Sequence, residues 1–317
     1  MNEYQRYLIQ EFADEFSEGH MTRRQLLRRA VLIMGSVPAG LGALAALGCG
    51  GDDGETDEAT EAANTPEAPT QPATAGPTGA ATAASPTGGA GEARASDVKF
   101  RGPGSDLLGY LAKPSGAGPF PGIVVIHENR GLIEHIKDVT RRYANEGFIA
   151  LAVDLVSRNG GSKPDGSANT GYLGNANIPD LIADMKAYVD YLKSLEGVKP
   201  GGVGVTGFCF GGGYTWDSVV EASGVKAAAP YYGTCRQVDK LKTTKVAVLA
   251  VYAENDTRIT GESTNVRAAL TASGSPFDIQ VYKGANHAFF NDTGGAYNKD
   301  AATDAWAKTL AWFRKYV

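Results

Sequence analysis

The chain has 317 residues, a net charge of −5 and a composition that is 43% hydrophobic and 21% charged, which is typical of a globular protein. The acidic balance gives no sign of a nucleic-acid partner, and three cysteines are too few for a disulfide-stabilised scaffold.

The start of the chain has the pattern of an export signal, assigned to residues 1–49. The pair Arg23-Arg24 precedes an uncharged stretch, 30–48, and a basic region followed by an apolar one is typical of a secretory signal. The order Thr-Arg-Arg-x-Leu-Leu resembles a twin-arginine signal, which implies the twin-arginine export machinery as a partner. A transmembrane anchor is the alternative, because the stretch is near the lower length limit for spanning.

The sequence ALGCGGDD around Cys49 resembles a bacterial lipoprotein cleavage site. The resemblance implies that Cys49 is lipidated, so that the mature protein is held on the extracytoplasmic face of the membrane. An ordinary signal-peptidase cut nearby, which leaves a secreted soluble protein, is the alternative. Residues 1–22 predict a short amphipathic helix that is discarded with the signal.

Residues 50–95 are rich in Ala, Thr, Pro, Gly and Glu. Such a stretch cannot bury enough apolar surface to offset the entropy lost on ordering, so we predict a disordered acidic linker.

Strand-like and helix-like patterns alternate over residues 96–317. In chain order we predict a hairpin, a strand at 122–128, a helix from 134, a strand at 148–155, a polar loop to about 176, a helix from 178 to 197, a strand ending at 207, a helix at 211–222, strands at 227–233 and 246–256, a helix at 261–273, a strand at 278–284 and a helix at 300–315. This alternation is typical of a mostly parallel sheet covered by helices on both faces, without a separate cap domain.

In such a sheet the chemistry lies where strands end at their carboxyl edge. The polar residues that follow predicted strands are His127, Glu128, Asn129, Arg130, Arg158, Cys209, Asp256 and His287. The chain order Cys…Asp…His is the order of nucleophile, acid and base in the α/β-hydrolase fold.

The sequence Gly207-Phe-Cys209-Phe-Gly211 predicts a nucleophile elbow with sulfur in place of oxygen. The two glycines permit a very sharp strand-to-helix turn with Cys209 in a strained conformation at its tip. The N-terminus of the following helix favours a thiolate. The amide of Phe210 and that of Asn129 are the candidate oxyanion donors.

These motifs resemble the dienelactone hydrolase (carboxymethylenebutenolidase) family over residues 100–317. The stretches that carry the resemblance are GFCFGG, the glutamate after the early strand, VDLVSR, AENDTRI and GANHAFF. The resemblance implies Cys209 as nucleophile, His287 as general base and Asp256 as the residue that orients His287. It also implies that Glu128 is an additional carboxylate that helps to ionise the thiol.

The same resemblance implies that Arg158 binds a carboxylate of the substrate. The family has a second such arginine four residues after the histidine, where this chain has Asn291. Arg130 and Arg258 are alternatives for the missing charge. This departure weakens the case for dienelactone itself as the substrate.

Each residue also has a plainer interpretation. Cys209 is alternatively a buried structural thiol, and Asp256 a cap for the next turn. Glu128 and Arg130 alternatively pair with each other. We interpret Cys235 as structural.

Two other histidines have no predicted catalytic role. His127 is expected to hydrogen-bond locally, and His135 to be solvated on a helix surface. The loop 156–177 and the pair Phe289-Phe290 are expected to shape the pocket.

The sequence thus predicts an exported cysteine hydrolase of small esters or lactones that needs no cofactor. The histidines and cysteines lack the spacing of a zinc site, so no metal is predicted. The alternatives are a catalytically silent, surface-anchored binding lipoprotein of the same fold, and a thiol redox protein that uses Cys235 as its resolving cysteine.

Overall fold

The computed structural model describes residues 1, 3–17, 22–46, 93–164 and 166–317. Cys49 and residues 50–92 of the predicted linker lie outside the described residues. The eight strands are β1 (Arg94–Arg101), β2 (Asp106–Lys113), β3 (Phe120–Ile126), β4 (Ile149–Val153), β5 (Val198–Phe208), β6 (Val225–Tyr231), β7 (Ala247–Ala253) and β8 (Phe277–Tyr282).

The strands form one sheet with the order β1-β2-β4-β3-β5-β6-β7-β8. The hairpin β1–β2 and the pair β2–β4 are antiparallel, and all other neighbours are parallel. The central strands are buried along their length, as expected where helices cover both faces. The mostly parallel α/β architecture predicted from the sequence is confirmed.

Helices flank this sheet and extend N-terminal to it. They are α1 (Glu3–Ser17), α2 (Arg23–Met34), α3 (Val37–Ala46), α4 (Glu134–Asn145), α5 (Ser167–Asn175), α6 (Ile178–Ser194), α7 (Phe210–Glu221), α8 (Thr257–Thr260), α9 (Ser263–Ser273) and α10 (Lys299–Tyr316). By length and composition, no single helix in the described ranges could cross a membrane, whereas the pair α2 and α3, bent by 108°, meets that test jointly.

The predicted loop at 156–177 contains the helix α5. Its sequence, SANTGYLGN, has two glycines and no apolar periodicity, so the local pattern does not predict a helix. The helix α5 packs closely against the N-terminal helices. Gly171 lies against the Leu32 backbone, and Gly174 lies against the Leu8 side chain.

The helix α1 buries apolar side chains against the rest of the structure, including α2 and α5. Leu8, Ile9 and Phe12 are all fully buried, and the Gln5 amide donates to Asn175 Oδ1 of α5 at 2.8 Å. The guanidinium of Arg29 in α2 lies 5.0 Å from the ring centre of Phe12. The amphipathic helix predicted within residues 1–22 therefore forms, and it lies at the carboxyl edge of the sheet.

Candidate active site

Cys209 lies at the turn between β5 and α7. Its φ of 54° is in the left-handed region that a side chain other than glycine rarely adopts. A Cβ at Gly207 would lie 2.4 Å from the Gly211 carbonyl oxygen, and one at Gly211 would lie 2.5 Å from the carbonyl oxygens of Ile126 and His127. The turn therefore requires both glycines, and it has the geometry of a nucleophile elbow.

His287 follows β8 and is held by Asp256, which follows β7. The His287 ring nitrogen Nδ1 lies 2.7 Å from Asp256 Oδ2, and both side chains are buried. Asp256 Oδ1 also accepts a hydrogen bond from the Ile259 amide at 3.4 Å. The two interpretations of Asp256, as a cap and as a partner of the histidine, hold together because each uses a different carboxylate oxygen.

The Cys209 thiol is close to His287. The cysteine sulfur, a ring nitrogen of His287 and a carboxylate oxygen of Glu11 all lie within 4.8 Å of one another. Burial raises the pKa of the Cys209 thiol to about 11, and the negative charge of Glu11 adds to this rise, while His287 opposes it. The thiolate expected from the helix N-terminus is thus disfavoured when α1 is in place.

The imidazole of His287 is also perturbed. Burial lowers its pKa, but the negative charges of Glu11, of a Cys209 thiolate and of Asp256 outweigh burial and hold the pKa well above its ordinary value. The ring of Tyr232 packs against His287 with its centre 5.0 Å away. This tyrosine also has a positive φ, 36°.

Glu128 lies at the end of β3 beside the elbow. Its Oε2 accepts a hydrogen bond from Asn291 Nδ2 at 2.8 Å, and its Oε1 is buried without a hydrogen-bond partner among the described residues. Asn291 occupies the position at which the resembled family has its second substrate-binding arginine. In this chain that residue instead binds the Glu128 carboxylate.

A cavity of about 220 Å³ adjoins the cysteine and the histidine. Glu128, Asn129, Arg130 and Asn291 line it, together with Arg29 of α2. The structure therefore brings together Cys209, His287, Glu128, Asn129 and Arg130. Phe210 begins α7 directly after Cys209, and the oxyanion role of its amide stays a prediction.

Arg158 is not brought to this cavity. Its guanidinium binds both oxygens of Asp184 on α6, at 2.8 and 2.9 Å, and donates to the Pro103 carbonyl at 2.9 Å. Because these partners satisfy the guanidinium, the expected substrate contact of Arg158 has no support in this geometry.

The two other histidines of the catalytic fold, His127 and His135, make their contacts away from the cavity. His127 bonds locally as predicted, since its Nε2 accepts from the Leu155 amide and its Nδ1 lies 2.6 Å from the Glu128 carbonyl. Burial lowers the pKa of His127. The prediction for His135 was wrong: it is buried, because its face of α4 packs inward, and its Nδ1 lies 3.3 Å from Asp292.

Phe289 and Phe290 follow His287 and are buried. Phe290 stacks on Phe208 with ring centres 5.0 Å apart, and Phe289 packs on Tyr232 at 5.5 Å. Neither lines the cavity. The pair therefore anchors the histidine loop, where the sequence suggested that it shapes the pocket directly.

Cys235 and Cys209 are both buried, and neither forms a disulfide within the part of the chain that the structure describes. The backbone amide of Cys235 donates to Glu262 Oε2 at 2.9 Å, and burial raises the pKa of its thiol to about 12. These features are typical of a structural cysteine.

Glu11 is the site residue that the sequence analysis missed. Its carboxylate is almost fully buried, with Oε1 2.5 Å from His287 Nε2. The available signal was the amphipathic pattern of residues 4–16, which implies an apolar surface to cover. Nothing in that pattern says which surface it is.

Among the described residues, one group of side chains is close enough to share a metal ion: Glu11, Cys209 and His287. These ligand types suit zinc. The Glu11 carboxylate in this group already has two cationic partners, His287 and Arg258, so the arrangement is explained without an ion.

The fold and the elbow define an α/β-hydrolase. The chain belongs to the dienelactone hydrolase family, whose model matches residues 107–317; members of this family are carboxylic ester hydrolases. The resemblance inferred from the sequence is thereby confirmed.

Several relatives are similar over most of their length. A protein named "Putative carboxymethylenebutenolidase" from Synechocystis sp. is 34% identical over 230 residues, which are 66% of this chain and 91% of the relative. "Protein usf" from Aquifex pyrophilus is 33% identical, covering 69% of this chain and 98% of the relative. The crystal structure of a "Putative Dienelactone Hydrolase" from Klebsiella pneumoniae has a TM-score of 0.62 and 29% identity, covering 71% of this chain and 99% of that chain.

Proposed function

We propose that this member of the family is a cysteine-dependent hydrolase of small carboxylic esters or lactones. The observation that carries the proposal is the position of Cys209 at a strained elbow, beside a histidine whose other nitrogen lies 2.7 Å from a buried aspartate. A buried structural thiol has no need of a positive φ or of a histidine–carboxylate pair.

The first half of the reaction forms a thioester. As the Cys209 sulfur attacks the carbonyl carbon, its proton passes to Nε2 of His287, and Asp256 stabilises the imidazolium. The amides of Phe210 and Asn129 are the proposed donors to the oxyanion. The intermediate then expels the alkoxide, which takes the proton from His287; in a lactone the alcohol stays attached to the acyl group.

The second half releases the acid. Water attacks the thioester carbonyl while His287 accepts its proton, and the thiolate leaves and is reprotonated. Glu128 is the proposed carboxylate that responds to substrate by helping the thiol to ionise. It lies next to the elbow, and one of its buried oxygens has no hydrogen bond to any described residue.

The proposal also covers location. Export through the twin-arginine machinery, followed by lipidation at Cys49, would place the hydrolase on the extracytoplasmic face of the membrane. Arg23 and Arg24 support this, because both are exposed at the start of α2, where machinery that reads them has access.

The test compares the full chain with Cys209→Ala and Cys235→Ala on a small activated ester and a small lactone. We expect Cys209→Ala to abolish turnover and to prevent an acyl adduct, detected by mass spectrometry on the peptide that contains residue 209. Cys235→Ala is the matched control, because it removes a buried thiol away from the histidine, and it should retain turnover. Equal turnover in the wild type and Cys209→Ala would refute the proposal and favour a silent binding protein.

A further inference from the structure

The N-terminal helix α1 delivers a carboxylate to the reacting groups. Glu11 Oε1 lies 2.5 Å from His287 Nε2, and Glu11 Oε2 lies 2.5 Å from the guanidinium of Arg258 in α8. His287 Nε2 is the nitrogen that must take the Cys209 proton in the proposed mechanism. With α1 in place, the carboxylate of Glu11 is therefore already in contact with that nitrogen.

Glu11 is bound there as an anion. A buried carboxylate is strongly unfavourable unless it is paired. Burial raises the pKa of Glu11, but His287 and Arg258 outweigh burial and lower the pKa to about 2. His287 and Arg258 therefore bind the Glu11 carboxylate as a cationic site binds an acidic ligand.

The rest of α1 fits the surface around the site. Leu8, Ile9 and Phe12 are buried beside Glu11, and Leu8 lies against Gly174 of α5, where an added Cβ would come within 3.2 Å of Leu8. Arg29 of α2 also lines the cavity. Charged and apolar contacts thus dock the same helix.

This segment is an addition to the catalytic fold. The family model begins at residue 107, and the structure from Klebsiella pneumoniae, covered over 99% of its length, matches only 71% of this chain. Glu11 is consequently not required to build the sheet or the elbow.

We propose that α1 is an internal inhibitor of this hydrolase, with Glu11 bound between His287 and Arg258 at the position that the reaction needs. This inference rests on the proposed function for its biological meaning, but the docking of α1 is a separate claim. Removal of the segment with the export signal would uncover Cys209 and release His287 Nε2. The full-length protein would then be held at a low but measurable activity until the segment is removed.

The test uses the full chain with three variants. Glu11→Gln removes the charge that binds His287 and Arg258. Leu8→Glu places a charge in the apolar contact without touching the active site. Arg6→Gln, on the exposed side of the same helix, is the matched control.

Two readouts separate this inference from the proposed function. The first is the rate at which iodoacetamide alkylates Cys209, followed by peptide mass spectrometry with the buried Cys235 as an internal standard. The second is kcat/KM on a small neutral activated ester. We expect Glu11→Gln and Leu8→Glu each to raise the alkylation rate and kcat/KM at least tenfold, and Arg6→Gln to match the wild type.

Alkylation rates of Cys209 that are unchanged in both Glu11→Gln and Leu8→Glu would overturn the inference, even where the wild type hydrolyses esters. Faster alkylation without ester turnover would support the docking of α1 and count against the proposed hydrolase. Circular dichroism establishes that each variant is folded.

Discussion

At the scale of single residues, the site depends on side chains that serve two purposes at once. Asp256 binds His287 through one oxygen and caps α8 through the other. Glu11 likewise meets two cations through its two oxygens. The two contacts of such a carboxylate can be tested one at a time, by substitutions that keep one contact and remove the other.

Asp256→Asn is the substitution that separates the two roles of Asp256. Asparagine is as good a helix cap as aspartate, but it carries no charge to stabilise the imidazolium and favours the wrong tautomer. We expect kcat to fall by roughly 10²–10⁴ while the melting temperature stays near that of the wild type. Asp256→Ala should lose activity and also about 1 kcal/mol of stability. A fall in stability of Asp256→Asn equal to that of Asp256→Ala would contradict this division.

At the scale of elements, the turn from β5 to α7 is packed against the end of β3. The chain passes so close that a single added carbon at Gly211 meets the carbonyl oxygens of Ile126 and His127 at 2.5 Å. Backbone atoms in the centre of a sheet cannot move aside as a flexible side chain can. The elbow is therefore fixed by contacts between elements as well as by its own torsion angles.

Gly211→Ala tests this contact. We expect a loss of about 1–3 kcal/mol in the free energy of unfolding, typical of overpacking, together with a large fall in kcat, because relief of the clash displaces Cys209. Gly295→Ala is the control for stability, since an added Cβ there would have no described atom within 4 Å. Urea unfolding curves for both variants measure the difference, and equal midpoints would show that the elbow tolerates a side chain.

At the scale of the whole molecule, Arg158 joins parts of the chain that are distant in sequence. It ties the loop after β4 to Asp184 of α6 and to the Pro103 carbonyl in the turn between β1 and β2. The Arg158 side chain is 19% exposed and that of Asp184 is 2% exposed, so the pair is shielded from solvent.

Arg158→Met should therefore destabilise the protein. Loss of the guanidinium leaves the buried Asp184 carboxylate without its cation, and we expect a loss of about 3–5 kcal/mol. Arg101→Met, which breaks an exposed pair with Asp106, should change stability far less, because solvent screens exposed pairs. Unfolding with urea measures both. If Arg158 instead binds substrate, Arg158→Met will leave stability intact and raise KM for carboxylate-bearing esters.

Much of the catalytic fold was predictable from local pattern. Apart from α5, the main strands and helices over residues 96–317 follow apolar patterns in the sequence, and the elbow follows from the spacing of two glycines around Cys209. The fold also places Asp256 and His287 at neighbouring strand ends, which makes their meeting predictable.

The features that escaped prediction depend on long-range side-chain contacts. The pairing of Arg158 with Asp184 removes that arginine from the site, and no local signal distinguishes an arginine that binds substrate from one that binds α6. The docking of Glu11 likewise joins the two ends of the chain. The short helix α5 packs against α1 and α2, and its own sequence carries no sign of these contacts.

The covalent continuity of α1 with the enzyme has a kinetic consequence. Because Glu11 and Cys209 belong to one chain, occupancy of the pocket by the helix is a unimolecular equilibrium, and dilution of the protein does not shift it. A substrate that binds only the open form has its apparent affinity reduced by the fraction of chains that are open. The hydrolase would therefore show the same low specific activity at every enzyme concentration, and a single cut between α1 and Cys209 would convert that equilibrium into one that dilution pulls towards the open enzyme.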